Sequence, residues 1–487
     1  MRKLAACLLF ASILVVPFVT GALAQAPVDA RVLAWEYVEG ADDGQLEVLT
    51  SDGNQEVLVD FQPGVFDNVA KHCSQDIWAA EGQGVALFTG AAMGQIAIYP
   101  MVGGDPVALG DANRMACAGP ATFQFSPNAQ RVGFIDYDYD ALSREFPAGD
   151  LKLFEAATGT QLATFDWATA FALYDDGALM LRLFPDGKGN ATEADLDWWD
   201  GTGRRTLVTL EPLYPPDLED VECGITSGAV VRVRDTAYVY LGQKCETGAN
   251  NWRVVSVPMG GGAVTEISVG EPAGGYFSGS FTTQLIPAKD NSGFVMTIPS
   301  GLTRNTVSLY WLAMDGTMTP MLEGNHVLVD RVGERLTEGR HTLVSPDGNS
   351  LAFVTTTANN EQTLWMLDLT TAGNQPVQLL EQGINQRVFQ FLWSGNSRLY
   401  FAAGSIEIGA LYVAGPGETA QRLERGRFFR IAPSYNGEKI AAAEWFENPN
   451  SLNDDLFKLT ILTTNGMSYT LKEGGVEYNQ MVPLAIQ

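Results

Sequence analysis

The sequence predicts an all-β fold, a single β-propeller built from four-stranded blades. Short apolar runs that alternate with period two dominate the 487 residues, and tight turns separate them, as is typical of antiparallel strands. The clearest stretch enters a Ser345-Pro-Asp-Gly348 turn, leaves it at Leu351-Ala-Phe-Val354, and continues through Leu364-Trp-Met-Leu-Asp-Leu369 to Pro376-Val-Gln-Leu-Leu380. Proline fixes φ at the second turn position, Asp caps the turn, and Gly takes the left-handed position. This stretch is therefore one four-stranded meander.

The meander recurs along the chain. Equivalent second strands begin at Leu351, Leu399 and Ile440, which are 48 and 41 residues apart. An early copy reads Phe123-Gln-Phe-Ser-Pro-Asn-Ala-Gln-Arg-Val-Gly-Phe-Ile135. Four-stranded repeats with a period of roughly 40–60 residues are typical of β-propellers, which usually have four to eight blades. Nine third strands are recognisable, so we expect about eight blades, with seven and nine as the alternatives.

The ends of the chain are expected to share a blade. Residues 30–59 supply three strands and lack an inner one, and residues 479–486 read as the missing strand. This pairing would close the ring and remove two exposed sheet edges. Pro483 restricts the C-terminal strand to an edge or a bulge. In the blade at 168–220, residues 186–200 read as an acidic excursion rather than as a strand.

Residues 1–24 read as a signal peptide. Arg2 and Lys3 precede an almost wholly apolar run, and Ala22-Leu-Ala24 offers a small-x-small cleavage site. A retained membrane anchor is the alternative, because the apolar run is nearly long enough to span a bilayer. The remaining residues, 25–487, form one propeller domain. We expect the mature protein to be extracytoplasmic, periplasmic or secreted.

Charge limits the classes of partner. The chain carries 30 Lys and Arg against 57 Asp and Glu. Removal of Arg2 and Lys3 with the leader leaves 28 against 57, a net charge of −29. Such a surface repels nucleic acids and anionic membranes. We expect a monomer that binds a protein, peptide or glycan, with no nucleic acid and no membrane after cleavage.

The repeat resembles a known family. Ser345-Pro-Asp-Gly348 with the Leu-Ala-Phe that follows, and then Leu364-Trp-Met-Leu-Asp-Leu369, look like the repeat of TolB-type, WD-like propellers. The same repeat occurs in the propeller that precedes the hydrolase of prolyl-oligopeptidase relatives. The resemblance covers residues 118–160 and 341–475 best. It implies the fold and an extracytoplasmic location, and it carries no catalytic residue to this chain.

The mature chain has four cysteines, an even number that suggests disulfides in an exported protein. They are Cys73, Cys117, Cys223 and Cys245. Three pairings are open from sequence alone. Cys223 and Cys245 lie 22 residues apart within one repeat and form the favoured pair. Cys73 and Cys117 would then join the first strands of neighbouring blades.

No catalytic or metal-binding motif stands out, and we expect no cofactor. The sequence has no Gly-x-Ser-x-Gly nucleophile motif. His72, His326 and His341 are far apart and show no ligand spacing. The acidic runs Asp136-Tyr-Asp-Tyr-Asp140 and Asp186-Gly-Lys-Gly-Asn190 do not match a calcium loop and read as solvated loops.

Basic residues are rare in this chain, and some recur at one position of the repeat. Arg387 and Arg427 each lie seven residues before the turn serine of their repeat, Ser394 and Ser434. The set predicted to surround the channel mouth is Arg340, Arg387, Arg425 and Arg427. Such a cluster could hold a carboxylate or phosphate through paired N–H donors.

The alternative interpretation of these arginines is structural. Each could pair with an acid of its own repeat, such as Glu338 or Glu424, and tie neighbouring blades together. Surface pairs of this kind contribute only ~0–1 kcal/mol each. Arg430 lies nearby in the sequence.

Two functional classes remain open from the sequence. The preferred one is a non-catalytic binding or scaffold module. The alternative is a propeller-type carbohydrate-active enzyme, a hydrolase or lyase, with a carboxylate-lined central site. The chain has many acids but no spacing that selects a catalytic pair, and the fold alone does not decide.

We predict that the exported protein begins at Gln25, because signal peptidase cleaves after the second small residue of the Ala22-Leu-Ala24 site. Intact-mass analysis of the exported protein checks this. Ala24→Asp should block cleavage and leave the heavier precursor. An exported wild-type protein that retains Met1 would contradict the prediction.

Overall fold

A computed structural model shows that, among the residues it describes, the named elements are β-strands and a short 3₁₀ helix at Arg114–Cys117. This confirms the all-β prediction. The structure describes residues 29–37, 44–60, 69–73, 78–79, 82–117, 122–137, 148–185, 191–212, 223–245, 250–270, 284–299, 306–322, 327–329, 342–356, 361–380, 386–405, 408–447, 455–475 and 480–487.

Consecutive strands pair antiparallel in groups of four, which we call units and number along the chain. Unit 1 contains β1 (Arg31–Tyr37), β2 (Gly44–Thr50) and β3 (Gln55–Asp60). Unit 2 contains β4 (Val69–His72), the short β5 (Trp78–Ala79), β6 (Gly84–Gly90), β7 (Met93–Pro100) and β8 (Val107–Asn113). Unit 3 contains β9 (Phe123–Phe125), β10 (Arg131–Asp136), β11 (Gly149–Glu155) and the first half of β12 (Gln161–Tyr174).

The middle units are joined into larger sheets. Unit 4 contains the second half of β12, then β13 (Gly177–Pro185), β14 (Ala191–Trp199) and β15 (Arg204–Leu210). Unit 5 contains β16 (Cys223–Val233), β17 (Thr236–Cys245), β18 (Asn250–Pro258) and β19 (Thr265–Gly270). Unit 6 contains β20 (Gln284–Pro287), β21 (Gly293–Pro299), β22 (Thr306–Ala313) and β23 (Met318–Pro320), and β24 (Val327–Val329) links it to unit 7.

The last units are the most regular. Unit 7 contains β25 (Thr342–Val344), β26 (Ser350–Thr356), β27 (Gln362–Asp368) and β28 (Val377–Gln378). Unit 8 contains β29 (Arg387–Trp393), β30 (Leu399–Gly404), β31 (Gly409–Ala414) and β32 (Gln421–Arg425). Unit 9 contains β33 (Arg427–Pro433), β34 (Lys439–Glu447), β35 (Asp455–Thr463) and β36 (Ser468–Gly475). Units 8 and 9 are separate four-stranded sheets.

The last strand, β37 (Gln480–Ile486), pairs with β1 and completes unit 1. The expectation that the two ends share a sheet is therefore confirmed. The register shifts by one residue between Leu33 and Ala34, which leaves Leu484 bulged beside Pro483. Since β37 also lies at the edge of its sheet, Pro483 occupies the kind of position that proline tolerates.

The same turn connects the first two strands in several units. It begins with a buried serine in units 3, 7, 8 and 9: Ser126, Ser345, Ser394 and Ser434. In unit 8 the Ser394 hydroxyl lies 2.6 Å from Asn396 Oδ1 and accepts the Arg398 N–H at 3.2 Å. The fourth turn residue has positive φ, from +54° at Ala129 to +68° at Gly437. The predicted turn chemistry is thus confirmed, and the serine is its centre.

Glutamine side chains link the inner strands of neighbouring units. Gln124 of unit 3 donates to the Phe171 carbonyl at 2.9 Å and accepts the Leu173 N–H at 3.0 Å, both in unit 4. Gln390 of unit 8 accepts the Ile431 N–H of unit 9 at 2.7 Å. These bonds satisfy backbone groups that no strand pairs.

The hydrophobic core lies between neighbouring units rather than at one centre. One cluster packs residues of units 7 and 9 against unit 8, for example Leu364 and Phe428 against Tyr400. Another joins unit 1 to unit 9 through Val32 and Phe457. Each unit therefore depends on its neighbours for burial.

Residues 186–200 differ from the sequence expectation. The structure places residues 191–199 in β14, the third strand of unit 4, so their assignment to an acidic excursion was wrong. Asp197 in this strand is fully buried, and Arg182 Nη1 donates to Asp197 Oδ2 at 3.1 Å. An internal arginine makes an acidic strand compatible with the core.

Arg232 fastens unit 5 to unit 4. Its guanidinium donates to both Asp176 oxygens at 2.9 and 2.8 Å and lies over the Tyr174 ring, 4.4 Å from the centroid. The hydrogen bond from Arg232 lowers the pKa of Asp176. This stabilisation is present above the unfolded pKa and is lost as pH falls through the folded pKa.

Asp176→Asn should therefore destabilise the protein near neutral pH and make little difference in strong acid. Asp176 is largely exposed, so the expected loss is only about 0.5–1 kcal/mol. Urea unfolding at about pH 7 and about pH 2 measures it. Asp235→Asn, which removes the same charge from the equivalent turn of unit 5, is the control. A pH-independent loss for Asp176→Asn would contradict the interpretation.

Ser394→Ala should destabilise the protein by about 1–3 kcal/mol, because it leaves the buried Arg398 N–H without its side-chain acceptor. Unit 6 carries Ala288 at this position and still forms the Asn291 N–H to Ala288 carbonyl bond at 3.0 Å. Ala288→Ser should therefore not destabilise. Unfolding free energies in urea test both, and equal stability of Ser394→Ala and wild type would show that the serine is dispensable.

Candidate functional site

Three of the four predicted arginines lie along one end of unit 8. Arg387 begins β29, Arg425 ends β32, and Arg427 begins β33 after a single intervening residue. We call these three residues the arginine edge. Arg340 lies outside the residues that the structure describes. Arg387 lies where the chain enters unit 8, and Arg425 and Arg427 lie where it passes from unit 8 to unit 9. Their grouping around a channel mouth stays a prediction.

Glycines occupy the strand positions between the arginines. Arg387 is opposite Gly404, and Gly404 is opposite Gly409 in the next strand. The Gly426 N–H donates to the Gly409 carbonyl at 3.1 Å. Gly404 has φ of +149°, and a Cβ there would meet the Ile408 carbonyl. The strand positions between Arg387 and Gly426 therefore carry no side chains, and the exposed Ile408 lies beside them in the β30–β31 loop.

The arginine edge is too wide for one small anion. Arg387 and Arg425 lie on the first and fourth strands of unit 8, and Arg425 is opposite Ala410. Three strand spacings separate their Cα atoms, about 14 Å. Arg387 is in register with Gly404 and Gly409, whereas Arg425 is in register with Ala410, so the two side chains start from opposite faces of the sheet. An extended anionic chain that crosses this end of the sheet could reach both, and a single carboxylate or phosphate could not.

Arg387 and Arg425 are exposed, and neither forms an ion pair with another described residue. The structural alternative predicted that Glu424 would pair with a guanidinium. Instead, Glu424 Oε1 accepts the backbone N–H of Arg425 at 2.9 Å. The other proposed partner, Glu338, lies outside the described residues. Arg427 is half-buried and has contacts of its own.

Arg430 plays a different part. It is buried on the inner strand β33, and its Nη1 donates to the Phe429 carbonyl at 3.0 Å. It stands four residues before its turn serine, as Gln390 does in unit 8. Arg430 therefore belongs to the interior rather than to the arginine edge.

Glu444 was not singled out by the sequence. It lies on β34 opposite Lys458, and a Cβ on Gly426 would collide with Glu444 Oε1. Its carboxylate therefore sits directly beneath the Arg425-Gly426-Arg427 backbone. Burial raises the pKa of Glu444, nearby Lys458 lowers it, Glu424 raises it, and the Arg427 N–H lowers it by hydrogen bonding. Gly426, which lies between Arg425 and Arg427, is the sequence signal for this contact, and the sequence analysis did not use it.

Disulfides join Cys73 to Cys117 and Cys223 to Cys245, the pairing that the spacing favoured. Cys223 and Cys245 lie directly opposite each other on β16 and β17. Cys117 ends the 3₁₀ helix between units 2 and 3, so its expected place on a first strand was wrong. Both pairs hint at an oxidising environment.

Acidic side chains come close together at more than one place among the described residues, for example Glu36 and Glu47 around Lys472. Asp136 is opposite Asp150 in unit 3, accepts the Asn113 N–H at 3.1 Å, and pairs with Lys152 at 2.7 Å. Burial raises the pKa of Asp150. Asp138 and Asp140, like residues 186–190, lie outside the described residues.

Metal-ligand geometry was sought in the same part of the chain. Among the described residues, no three His, Cys, Asp or Glu side chains gather in a way that could hold a metal ion. His72 Nε2 lies 2.6 Å from the Leu484 carbonyl, a contact between units 2 and 1. His326 and His341 are outside the described residues.

No helix in the described ranges is long and apolar enough to cross a membrane.

Comparison with known proteins identifies a shared fold but no family. No family model and no curated protein matches the sequence. A eukaryotic initiation factor crystal structure is similar with a TM-score of 0.50 and 13% identity, over 94% of this chain and 99% of that chain. The likeness supports a propeller-like arrangement of the repeated sheets.

Peptidases are also among the similar structures. Prolyl oligopeptidase B from Galerina marginata matches with a TM-score of 0.39 and 10% identity, over 84% of this chain and 51% of that chain. A prolyl endopeptidase matches with a TM-score of 0.37 and 9% identity, over 86% of this chain and 50% of that chain. This chain spans about half the length of these peptidases.

Proposed function

We propose that this chain is an exported, non-catalytic β-propeller that binds an acidic segment of a protein or peptide at the arginine edge. The nine units would be nine blades of TolB type, closed into a ring by β37. The recurring Ser-centred turn, the glutamine links between inner strands and the pairing of β37 with β1 support this architecture. The two disulfides support export.

The exposed, unpaired state of Arg387 and Arg425 carries the binding proposal. The chain offers 57 acidic side chains against 30 basic ones, yet these two guanidinium groups form no ion pair with a described residue. Each presents five N–H donors in a planar fork that suits carboxylates. A partner with carboxylates of its own could form an ion pair with each of these two guanidinium groups.

The spacing defines the ligand further. Four residues of extended chain span about 13 Å, close to the separation of Arg387 and Arg425. A segment with acidic residues at positions i and i+4 could therefore reach both arginines while lying on the bare backbone at Gly404 and Gly409. An acidic glycan with charges at the same distance would present similar chemistry.

The carbohydrate-active enzyme remains the alternative, and Asp136 with Asp150 would be its acid pair. Two carboxylates in unlike environments are what general acid and base catalysis uses. Asp136, however, already accepts the Asn113 N–H and pairs with Lys152. Because these contacts give Asp136 a structural role within the sheet, we prefer the binding function to the enzyme.

Replacement of Arg387 and Arg425 by Gln should weaken binding of a labelled extended peptide that carries Glu at i and i+4 by at least about tenfold, since two charge-assisted contacts are lost. Fluorescence anisotropy at low ionic strength measures the affinity. A peptide with adjacent Glu residues tests the spacing, and one with Gln replacing Glu tests the charge. An acidic oligosaccharide tests the glycan alternative.

Arg422→Gln is the matched control, because Arg422 is exposed on the same strand, β32, about 10 Å along it. It should bind the peptide nearly as wild type does. Thermal unfolding should be unchanged by all three substitutions. If the parent binds no anion and the double variant loses stability, the arginines are ties between units and the binding proposal is overturned.

A further inference from the structure

We propose that Glu444 is a pH gate for the arginine edge, holding ligands off when ionised and admitting them when protonated. This inference rests on the proposed function, whose ligand site it regulates. It concerns the affinity of the site rather than the stability of the fold.

The position of Glu444 carries the inference. Its Oε1 fills the space where a side chain on Gly426 would begin, so the carboxylate lies under the turn that bears Arg425 and Arg427. In the sheet, Glu444 is opposite Phe428, a residue packed against unit 8. Opposite residues share a face of a sheet, and Glu444 therefore faces the unit that carries Arg425.

Charged groups around Glu444 are few. Lys458 faces it from β35, Glu424 comes from β32 of unit 8, and the Arg427 backbone N–H comes from β33. Glu473 is opposite Lys458 on the outer strand β36, and it therefore shares this face of the sheet. One lysine thus stands against three carboxylates at this point, Glu444, Glu424 and Glu473, before any ligand arrives.

A ligand carboxylate held by Arg425 would add a further negative charge above Glu444. Like charges at this range repel appreciably where part of the surroundings is protein. Burial raises the pKa of Glu444, and a bound anion would raise it further. Proton uptake and anion binding must then favour each other, because linkage is reciprocal.

The test uses a peptide of cysteic acid, whose sulfonates stay ionised across the pH range, so that only the protein titrates. Wild-type affinity should fall on the order of tenfold between about pH 5 and about pH 8. Glu444→Gln should bind at the higher affinity throughout. Calorimetry in buffers of different ionisation enthalpy should show proton uptake on binding to wild type and none for Glu444→Gln.

Two further variants separate the gate from a general charge effect. Lys458→Met removes the cation that lowers the pKa of Glu444, so the pH transition should move to higher pH. Glu424→Gln removes an exposed carboxylate that raises the pKa of Glu444, so affinity should rise slightly and the pH transition should move to lower pH without being lost.

Three outcomes decide the matter. If the parent binds no sulfonate or carboxylate peptide at any pH, the proposed function fails and the gate fails with it. If the parent binds with a flat pH profile, or if Glu444→Gln keeps the wild-type profile, the gate is overturned while the binding function stands. A lost profile in Glu444→Gln with a shifted one in Lys458→Met establishes the gate.

Discussion

In units 3, 7, 8 and 9, a buried serine hydroxyl at the first turn is the interaction that fixes the inner pair of strands. It holds the two ends of the turn together, as Ser345 does by accepting the Ser350 N–H at 2.9 Å. The turn so formed is also where units touch: the Asp347 N–H donates to Ser397 Oγ at 3.2 Å, and the Asn396 N–H donates to the Tyr435 carbonyl at 3.1 Å. A looser turn would displace the inner strand and the glutamine that it carries towards the next unit.

The sequence predicts what is local and misses what depends on a neighbour. The turn at Ser345 was readable because its residues bond to one another within five positions. The link from Gln390 to Ile431 crosses 41 residues, and nothing near Gln390 signals it. Strand β14 was misread as an acidic excursion, and its Asp197 is compatible with burial because Arg182, 15 residues earlier, pairs with it. Arg387 and Arg427 were found from their offsets to the turn serine, whereas Glu444 depends on how two sheets meet.

Arginine in this protein serves two purposes that composition cannot separate. Arg182 and Arg232 are enclosed by carboxylates and aromatic rings of adjoining strands and fasten the units together. Arg387 and Arg425 stand at strand ends beside glycines and remain exposed. Arg182 lies within β13, and Arg232 lies near the end of β16 but is held by Tyr174 and Asp176 of unit 4. The groups that surround an arginine therefore distinguish one that supports the fold from one that is available to a partner.

The pairing of β37 with β1 also constrains how the chain acquires its structure. The two strands are separated by more than 400 residues, and closing so long a loop costs about 5 kcal/mol of chain entropy. Until it closes, β1 keeps an unpaired edge, and apolar residues shared by units 1 and 9, such as Val32 and Ile486, have no cover. Contacts this distant in sequence form slowly. The newly made chain is therefore vulnerable to aggregation until β37 pairs with β1. A chaperone that covers the first unit would protect the chain during this time.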